Sequence, residues 1–457
     1  MPRSHRGFFV MDGFSIAPQL NNPRIVRAWY MYDWANSVYS LVISSAIFPI
    51  YYKAVSTVNG NDQVEFGGFT IQNSVLYSYA LSLSFLIVAF ILPLLSGVAD
   101  YTGKKKAFMK VFVWIGSLSC IGLYFFDSIS LLWWGILCSV LASVGYSSSL
   151  VFYDAFLPEI VTEDRYDSTS ARGYSMGYYG SVLLMVACLV LIMKAPSFGF
   201  AGTQAEAELA ATRFSFLLVG TWWIGFSLIP FRYLPENIYK RKPSGNIWTN
   251  GYNEIAKVWR RLDQQSHLKR FLLAFFFYNS GVQTVMYLAA LFGTDVLKLE
   301  SSKLIFTILL IQLVASVGAW MFARLSSIKG NRFALIVMNV IWIMVCIGAY
   351  LTTTEFQFYA LAFVVGVIMG GIQSLSRATY SKLIPDETID HTSYFSFYDV
   401  TYNLSIVVGT FSFGFINQLT GDMRNSAIFL AIYFILGATM LFTVKSKDIL
   451  KPSVVVL

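Results

Sequence analysis

The sequence predicts an all-α membrane protein, with twelve transmembrane helices in two pseudo-symmetric six-helix bundles. Three observations predict it: the composition, the count of long apolar runs, and the one-sided placement of Lys and Arg. Of the 457 residues, 56% are hydrophobic, 17% aromatic and only 13% charged, and the mean hydropathy is +0.59. A soluble domain is roughly 45–50% apolar and about 25% charged. Too little polar surface remains here to cover a water-soluble body, so lipid must be part of the solvent. A net charge of +8 would fit nucleic acid only if the bases clustered on a soluble face. They punctuate apolar runs instead, which excludes that class.

A helix needs about 20 mostly apolar residues to cross the hydrocarbon layer. Runs of that size fall at 27–52, 74–99, 107–126, 131–156, 170–193, 214–231, 270–292, 303–323, 333–351, 356–377, 394–416 and 426–444. The stretch 333–377 is nearly continuous, and Thr352, Thr353, Thr354 and Glu355 mark its only break. With the N-terminus inside, alternation places 27 of the 33 Lys and Arg residues inside and 6 outside. The positive-inside rule therefore supports both the orientation and the even count. The first twenty residues carry Arg3, Arg6 and Asp12 and lack a signal peptide's long apolar core. Both termini are expected in the cytoplasm, and a bacterial inner membrane is the expected location.

Five segments follow: a cytoplasmic N-terminal segment (1–26), a first bundle (27–231), a linker (232–269), a second bundle (270–444) and a cytoplasmic tail (445–457). In the linker, Trp248, Tyr252, Ile255, Trp259 and Leu262 recur at helical spacing, with Lys257, Arg260 and Arg261 opposite. That pattern predicts an amphipathic helix lying on the cytoplasmic leaflet. The halves on either side look related. Gly103-Lys104-Lys105-Lys106 closes the loop after the second run, and Gly330-Asn331-Arg332 closes the loop after the eighth, 227 residues later. The same offset superposes Leu157-Pro158-Glu159 on Ile384-Pro385-Asp386. Tyr32-Asp33 resembles Tyr278-Asn279 at another offset.

Nothing points to an enzyme. No GxxxxGK[ST] phosphate loop is present, which argues against ATP-driven pumping. His5, His267 and His391 all fall in polar segments and form no metal or nucleophile arrangement. Cys120, Cys138, Cys188 and Cys346 lie inside apolar runs and read as small packing residues. No cofactor or metal is expected.

Ser96-Gly97-Val98-Ala99-Asp100-Tyr101-Thr102-Gly103-Lys104-Lys105-Lys106 is similar to the signature that major facilitator transporters carry between their second and third helices. Gly97 allows close helix approach, Asp100 can accept from a helix N-terminus, and Gly103 makes the tight turn. The resemblance implies a cytoplasmic latch for an outward-open state. The second copy has Ser327 where Asp100 maps, so no latch is expected there. A narrower resemblance covers almost the whole chain. Tyr32-Asp33-Trp34-Ala35-Asn36-Ser37 resembles the opening signature of the vacuole-effluxer-like branch of that superfamily. Phe156-Leu157-Pro158-Glu159, Arg172-Gly173-Tyr174-Ser175-Met176-Gly177-Tyr178, Tyr278-Asn279-Ser280-Gly281-Val282-Gln283-Thr284, Gly370-Gly371-Ile372-Gln373-Ser374-Leu375-Ser376-Arg377 and Phe397-Tyr398-Asp399-Val400-Thr401 are further matches. Ser280 departs from the pattern, in which an acidic residue often follows the asparagine. Fungal members of that branch are described as exporting amino acids from the vacuole, so the resemblance implies a small-solute transporter, with an amino acid or peptide-like solute.

Charges inside membrane spans are costly and mark function by default. Asp33 lies six residues past Arg27, about 9 Å along a helix. It is the first candidate for binding a substrate amine, carrying a proton, or pairing with a basic residue at an inner gate. Asn36 lies one turn away. Asn279 and Gln283 are four apart and share a face. Trp34, Tyr178, Gln373, Tyr398 and Asn403 complete the expected substrate or proton site. Asp100, Asp154, Arg172, Arg377 and Asp399 form the expected cytoplasmic gate, with Arg172 and Asp399 as a cross-bundle pair because the 227 offset superposes them. Tyr174, Tyr178 and Tyr179, and Tyr394, Tyr398 and Tyr402, are either cavity lining or helix packing. Gly173, Gly177, Gly366 and Gly370 are assigned to close packing.

The expected activity is secondary transport by alternating access, coupled to protons, in a monomer surrounded by lipid. Export of drugs or other lipophilic solutes is the alternative. A receptor or scaffold, and a channel, are the other classes in competition.

Overall fold

The computed structural model describes residues 20–385 and 387–444. The segment before Leu20, the tail from Lys445, and Asp386 of the repeated Pro385 motif lie outside the described residues. The long helices are α1 (Pro23–Ser56), α2 (Asn73–Thr102), α3 (Lys105–Gly122), α4 (Leu132–Asp154), α5 (Tyr166–Met193), α6 (Gln204–Tyr233), α7 (Ser266–Asp295), α8 (Ser301–Lys329), α9 (Asn331–Leu351), α10 (Glu355–Leu383), α11 (His391–Thr420) and α12 (Met423–Thr443). A shorter linker helix spans Ile247–Gln264 between α6 and α7.

Eleven helices among the described residues are long and apolar enough to cross a membrane. The helix not counted among them is α7. His267, Lys269 and Arg270 open it, and Asn279, Ser280, Gln283 and Thr284 sit at its middle, which lowers its hydropathy. Its 30 residues still reach about 45 Å. One element departs from the all-α expectation: a hairpin pairs Gln63–Phe66 with Phe69–Gln72 between α1 and α2.

Local chemistry sets the helix ends. Thr203 and Glu206 form a capping box at α6, and Thr354 and Gln357 form one at α10. The second box explains why the chain breaks at Thr352–Glu355, because its side chains satisfy the free N–H groups of a new helix. Gly103 and Gly330 both adopt positive φ, 68° and 85°, after α2 and α8. The repeated glycine thus ends equivalent helices in the two halves, though with different ψ, 17° and 153°.

Helix packing obeys the same symmetry. In the first half α1 packs on α5 and α6, α3 on α4 and α6, and α2 on α4. In the second half α7 packs on α11 and α12, α9 on α10 and α12, and α8 on α10. Between the halves, α5 meets α8 and α10, and α11 meets α2 and α4. Shifting each number by six turns one list into the other. Small residues permit the closest approaches: a Cβ on Gly370 of α10 would collide with the Ala315 backbone of α8. Phe90, Trp320, Phe356 and Phe411 point outward and are largely exposed, as a lipid-facing surface requires.

The linker helix rests against α2. Gly251 faces Gly97 there, and a Cβ on either would meet the other helix. Asn246 caps its start by accepting from the N–H groups of Trp248 and Thr249. The expected apolar stripe is split. Leu262 is buried with Val258, whereas Trp248, Tyr252 and Trp259 are exposed.

Candidate functional site

A cavity of about 740 Å³ lies between the two halves. It is lined chiefly by α1, α2, α4 and α5 from one half and α7, α8, α10 and α11 from the other. One end is the group Asp33, Asp154 and Arg377; the other reaches Lys53 and Asn73, beside the hairpin. Asp33 and Lys53 are twenty residues apart on α1, about 30 Å along its axis. The cavity therefore runs from a floor near the linker side toward the opposite face.

The floor is built around Arg377, which is 2% exposed. Its Nη1 donates to Asp154 Oδ1 at 3.0 Å and its Nη2 to Asp33 Oδ2 at 3.4 Å, so α10 of the second half holds α4 and α1 of the first. Its Nε and Nη2 also donate to Ser170 Oγ and O, at 2.9 and 3.1 Å. Its guanidinium lies 4.3 Å from the Tyr174 ring, 4.7 Å from Trp29 and 5.6 Å from Tyr153. Such faces suit the weakly hydrated, planar guanidinium better than an ammonium. Tyr153 donates to Asp33 Oδ2 at 2.6 Å and stacks on Trp29. Gly173 makes room: a Cβ there would collide with the Asp33 carboxylate. One step further in, Tyr178 donates to Gln373 Oε1 at 2.8 Å across the halves.

Two more junctions close the linker side. Asp100, at the end of α2, accepts from the N–H groups of Thr392 and Ser393 at 3.2 and 2.6 Å, the first turn of α11. These are the helix N-terminal contacts expected of Asp100. The second-half copy supplies no acid at Ser327, yet the equivalent junction is still bridged, from the first half. Asp167, in the first turn of α5, accepts from Ser326 Oγ at 2.9 Å, Asn331 Nδ2 at 2.8 Å and Lys382 Nζ at 2.8 Å. The acid missing at Ser327 reappears on the opposite helix. The linker adds a strap. Arg241 donates to Asp390 Oδ1 at 2.8 Å and to the Ile389 carbonyl, and Lys257 donates to Asp390 Oδ2 at 3.2 Å. Burial works against the Asp390 carboxylate, but the hydrogen bond from Arg241 and the charges of Lys257 and Arg241 outweigh it and hold its pKa below the usual range. On the first-half side, Ser244 N and Asn250 Nδ2 donate to Tyr101 Oη. Lys105 pairs with the buried Glu159 beneath it.

Several expected residues meet here. Asp33, Asn36, Tyr178, Asn279, Gln283, Gln373 and Tyr398 all line the cavity, with Asp154, Arg377 and Asp399. Asn279 Nδ2 donates to Ser405 Oγ at 2.6 Å, and Gln283 Nε2 to Asn279 Oδ1 at 3.2 Å. Tyr398 stacks on Phe275 with ring centroids 4.3 Å apart. Of the other tyrosines, Tyr174 and Tyr402 line the cavity, Tyr179 is exposed on the outer surface, and Tyr394 is buried beside Gln265 and Tyr380.

Four expectations need correction. Trp34 does not line the cavity; it stacks on Trp222 and Phe226 of α6, because one residue along a helix turns the side chain by about 100°. Asn403 is buried behind the lining, its amide bonded to Asp399. Arg172 makes no pair with Asp399. It is exposed beside Tyr30, and Arg377 is the cation that meets Asp154 and Asp33. Asp399 accordingly belongs to the cavity wall, not to the gate. In addition, His391 is buried at the start of α11, not in a polar loop. Sequence reading missed Tyr153, Asp167, Lys382 and Asn331. The signal present for Asp167 and Lys382 was their charge next to a span.

Known proteins agree with this geometry. The fold matches the major facilitator transporter FucP in its outward conformation, with a TM-score of 0.71, 12% identity, and 93% of this chain and 99% of that one covered. The human organic anion transporter MFSD10 matches with a TM-score of 0.70 and 13% identity over 93% of this chain and all of that one. The fold is thus that of the major facilitator transporters. More narrowly, the family model described as "Vacuole effluxer Atg22 like" matches residues 21–449, and the chain belongs to that family. An uncharacterized MFS-type transporter of Bacillus subtilis, YxiO, is 32% identical over 415 residues, covering 91% of this chain and 93% of that protein. Autophagy-related protein 22 of Cryptococcus neoformans is 24% identical over 531 residues, covering 92% and 94%.

Proposed function

We propose that the protein carries a small polar or amphipathic solute, an amino acid or peptide-like molecule, across a bacterial inner membrane by alternating access. The linker side is the cytoplasmic face on this reading, since that side carries most of the Lys and Arg. The protein works as a monomer, and residues 27–231 and 270–444 are the rocking units. The observation that carries the proposal is the cavity itself. It is large enough for such a solute, is lined by both halves, and ends in a floor that ties the halves together.

The floor also gives a reason for proton coupling. Opening the linker side must part Arg377 from Asp33 and Asp154. Separating a buried pair without compensation costs about 3–5 kcal/mol. Proton uptake by one released carboxylate lowers that cost, which links opening to protonation, with Asp33 as the residue charged with it.

Counterflow in proteoliposomes tests the proposal. Vesicles loaded with unlabelled L-leucine or L-arginine should take up the labelled amino acid faster than empty ones. An absence of acceleration with both, in protein that remains folded, would remove amino-acid exchange from the reading.

A further inference from the structure

The linker end of the cavity, floor and adjoining wall together, carries more negative charge than its one cation can balance. Asp33, Asp154 and Asp399 line it with a single guanidinium, Arg377. Arg377 is engaged by Asp33 and Asp154. Asp399 has no basic partner among the described residues. Asn403 Nδ2 donates to its Oδ2 at 2.8 Å, and the charged group that acts on it is another acid, Asp154. Two neighbouring carboxylates in a low-dielectric wall oppose each other's ionisation unless a positive charge joins them.

Two unsatisfied polar groups lie nearby, one behind Asp399 and one in the cavity lining. The Asn403 amide, 2% exposed and bonded through its nitrogen to Asp399, leaves its Oδ1 buried without a hydrogen-bond partner. In the cavity lining, Asn36 is 1% exposed and its Nδ2 is likewise buried and unpartnered. The Asn403 amide holds Asp399 from behind, and the free amide of Asn36 in the lining asks for an acceptor. Tyr398 and Tyr402 flank Asp399 along α11, and Tyr174 and Tyr178 line the same cavity. Tyrosine faces favour a cation that has lost its water.

From these observations we infer that Asp399 is the subsite for a positively charged nitrogen of the transported solute. The ammonium joins Asp399 against the tyrosine wall, while Asn36 meets an acceptor elsewhere on the molecule. The inference rests on the transport reading above, but it concerns charge and holds for any amine-bearing solute. It gives Asp399 a role different from that of Asp33, whose partner is the protein's own arginine.

The experiment is thermal unfolding of the full-length protein in detergent with five probes. They are L-leucine, L-leucinamide (amine without carboxylate), 4-methylpentanoate (carboxylate without amine), L-arginine and agmatine. A solute that binds only the folded state raises stability as its concentration exceeds Kd. Leucinamide or agmatine should stabilise the wild type and 4-methylpentanoate should not. In Asp399→Asn the amine's apparent Kd should weaken by roughly thirtyfold or more, the low end for truncating one partner of a buried charge pair. Asp399→Glu should recover part of that loss. Equal stabilisation by 4-methylpentanoate overturns the inference, as does amine binding in Asp399→Asn within twofold of wild type. The first comparison needs no variant, so misfolding of Asp399→Asn does not remove the test. Binding of agmatine without either amino acid would uphold the inference and remove the amino-acid reading. Silence from all five probes while labelled leucine still exchanges would overturn the inference and leave that reading standing.

Discussion

The two junctions that close the linker side occupy pseudo-symmetric positions, yet they are made differently. At one, Asp100 takes two backbone N–H groups from the first turn of α11. At the other, Asp167 takes three side-chain donors, including the buried ammonium of Lys382. Both acids belong to the first half, although a strict repeat would put one in each. The backbone junction uses donors that every helix start leaves free. It needs only one carboxylate and survives most changes in the partner helix. The side-chain junction depends on all four of its residues at once. The same closure is thus reached by one tolerant contact and one exacting contact.

The comparison can be broken most sharply at Asp167. Asp167→Ala leaves the Lys382 ammonium buried and unpaired, and should destabilise this state by about 3–5 kcal/mol. Thermal unfolding in detergent reads that loss. Replacing both charges, Asp167→Leu with Lys382→Met, should cost less than half as much, since no uncompensated charge remains. If the double variant were as unstable as the single one, the ion pair would not be the source of the effect. At the other junction, Asp100→Ala should cost about 1.5–3 kcal/mol, the loss of hydrogen bonds to a charged group. Asp100→Asn should cost less, because its amide oxygen still accepts from one N–H.

The linker strap sharpens the contrast further. Gly97→Ala pushes a methyl into the Gly251 carbonyl and should cost about 1–3 kcal/mol by overpacking. Hydrogen exchange should then speed up across Ile247–Gln264 while α8 and α9 stay protected. Equal protection of the linker helix in wild type and variant would show that it does not depend on that contact. Asp390 gives the smallest effect. Its folded pKa is depressed, so its contribution is present above the ordinary carboxylate value of about 3.9 and is lost as pH falls through the lower folded value. Stability from this contact should be flat between pH 5 and 8. Asp390→Asn should cost about 1–2 kcal/mol at pH 7: its amide oxygen still accepts from the largely buried Arg241, and the partly exposed Lys257 adds little. A pH-dependent difference between Asp390→Asn and wild type above pH 5 would contradict that assignment.

Much of the architecture was legible because it depends on quantities summed along the chain. Run length, the distribution of Lys and Arg, and the turn glycines Gly103 and Gly330 each carry a local physical cost. That cost holds wherever the helices pack. Asp33, Asp154 and Arg377 were also visible, since a charge next to an apolar run is rare and expensive. The partner of each charge was not visible. Matching by offset paired Arg172 with Asp399, but helix rotation turns Arg172 outward and brings Arg377 to Asp154 instead. Trp34 was grouped with Asp33 by adjacency, although neighbours on a helix face different surroundings.

The sequence by itself therefore determined that the chain lives in lipid, that it folds as two related helical halves, and which costly residues matter. Only the tertiary structure decided which carboxylates Arg377 satisfies, which one it leaves unmatched in the cavity, and that the Asp167 junction replaces an absent acid. The reason is geometric. Burial and capping act within a few residues of chain, whereas ion pairing requires two groups within about 4 Å. Arg377 and Asp154, like Lys382 and Asp167, lie more than 200 residues apart in sequence and meet only once two bundles have closed on each other.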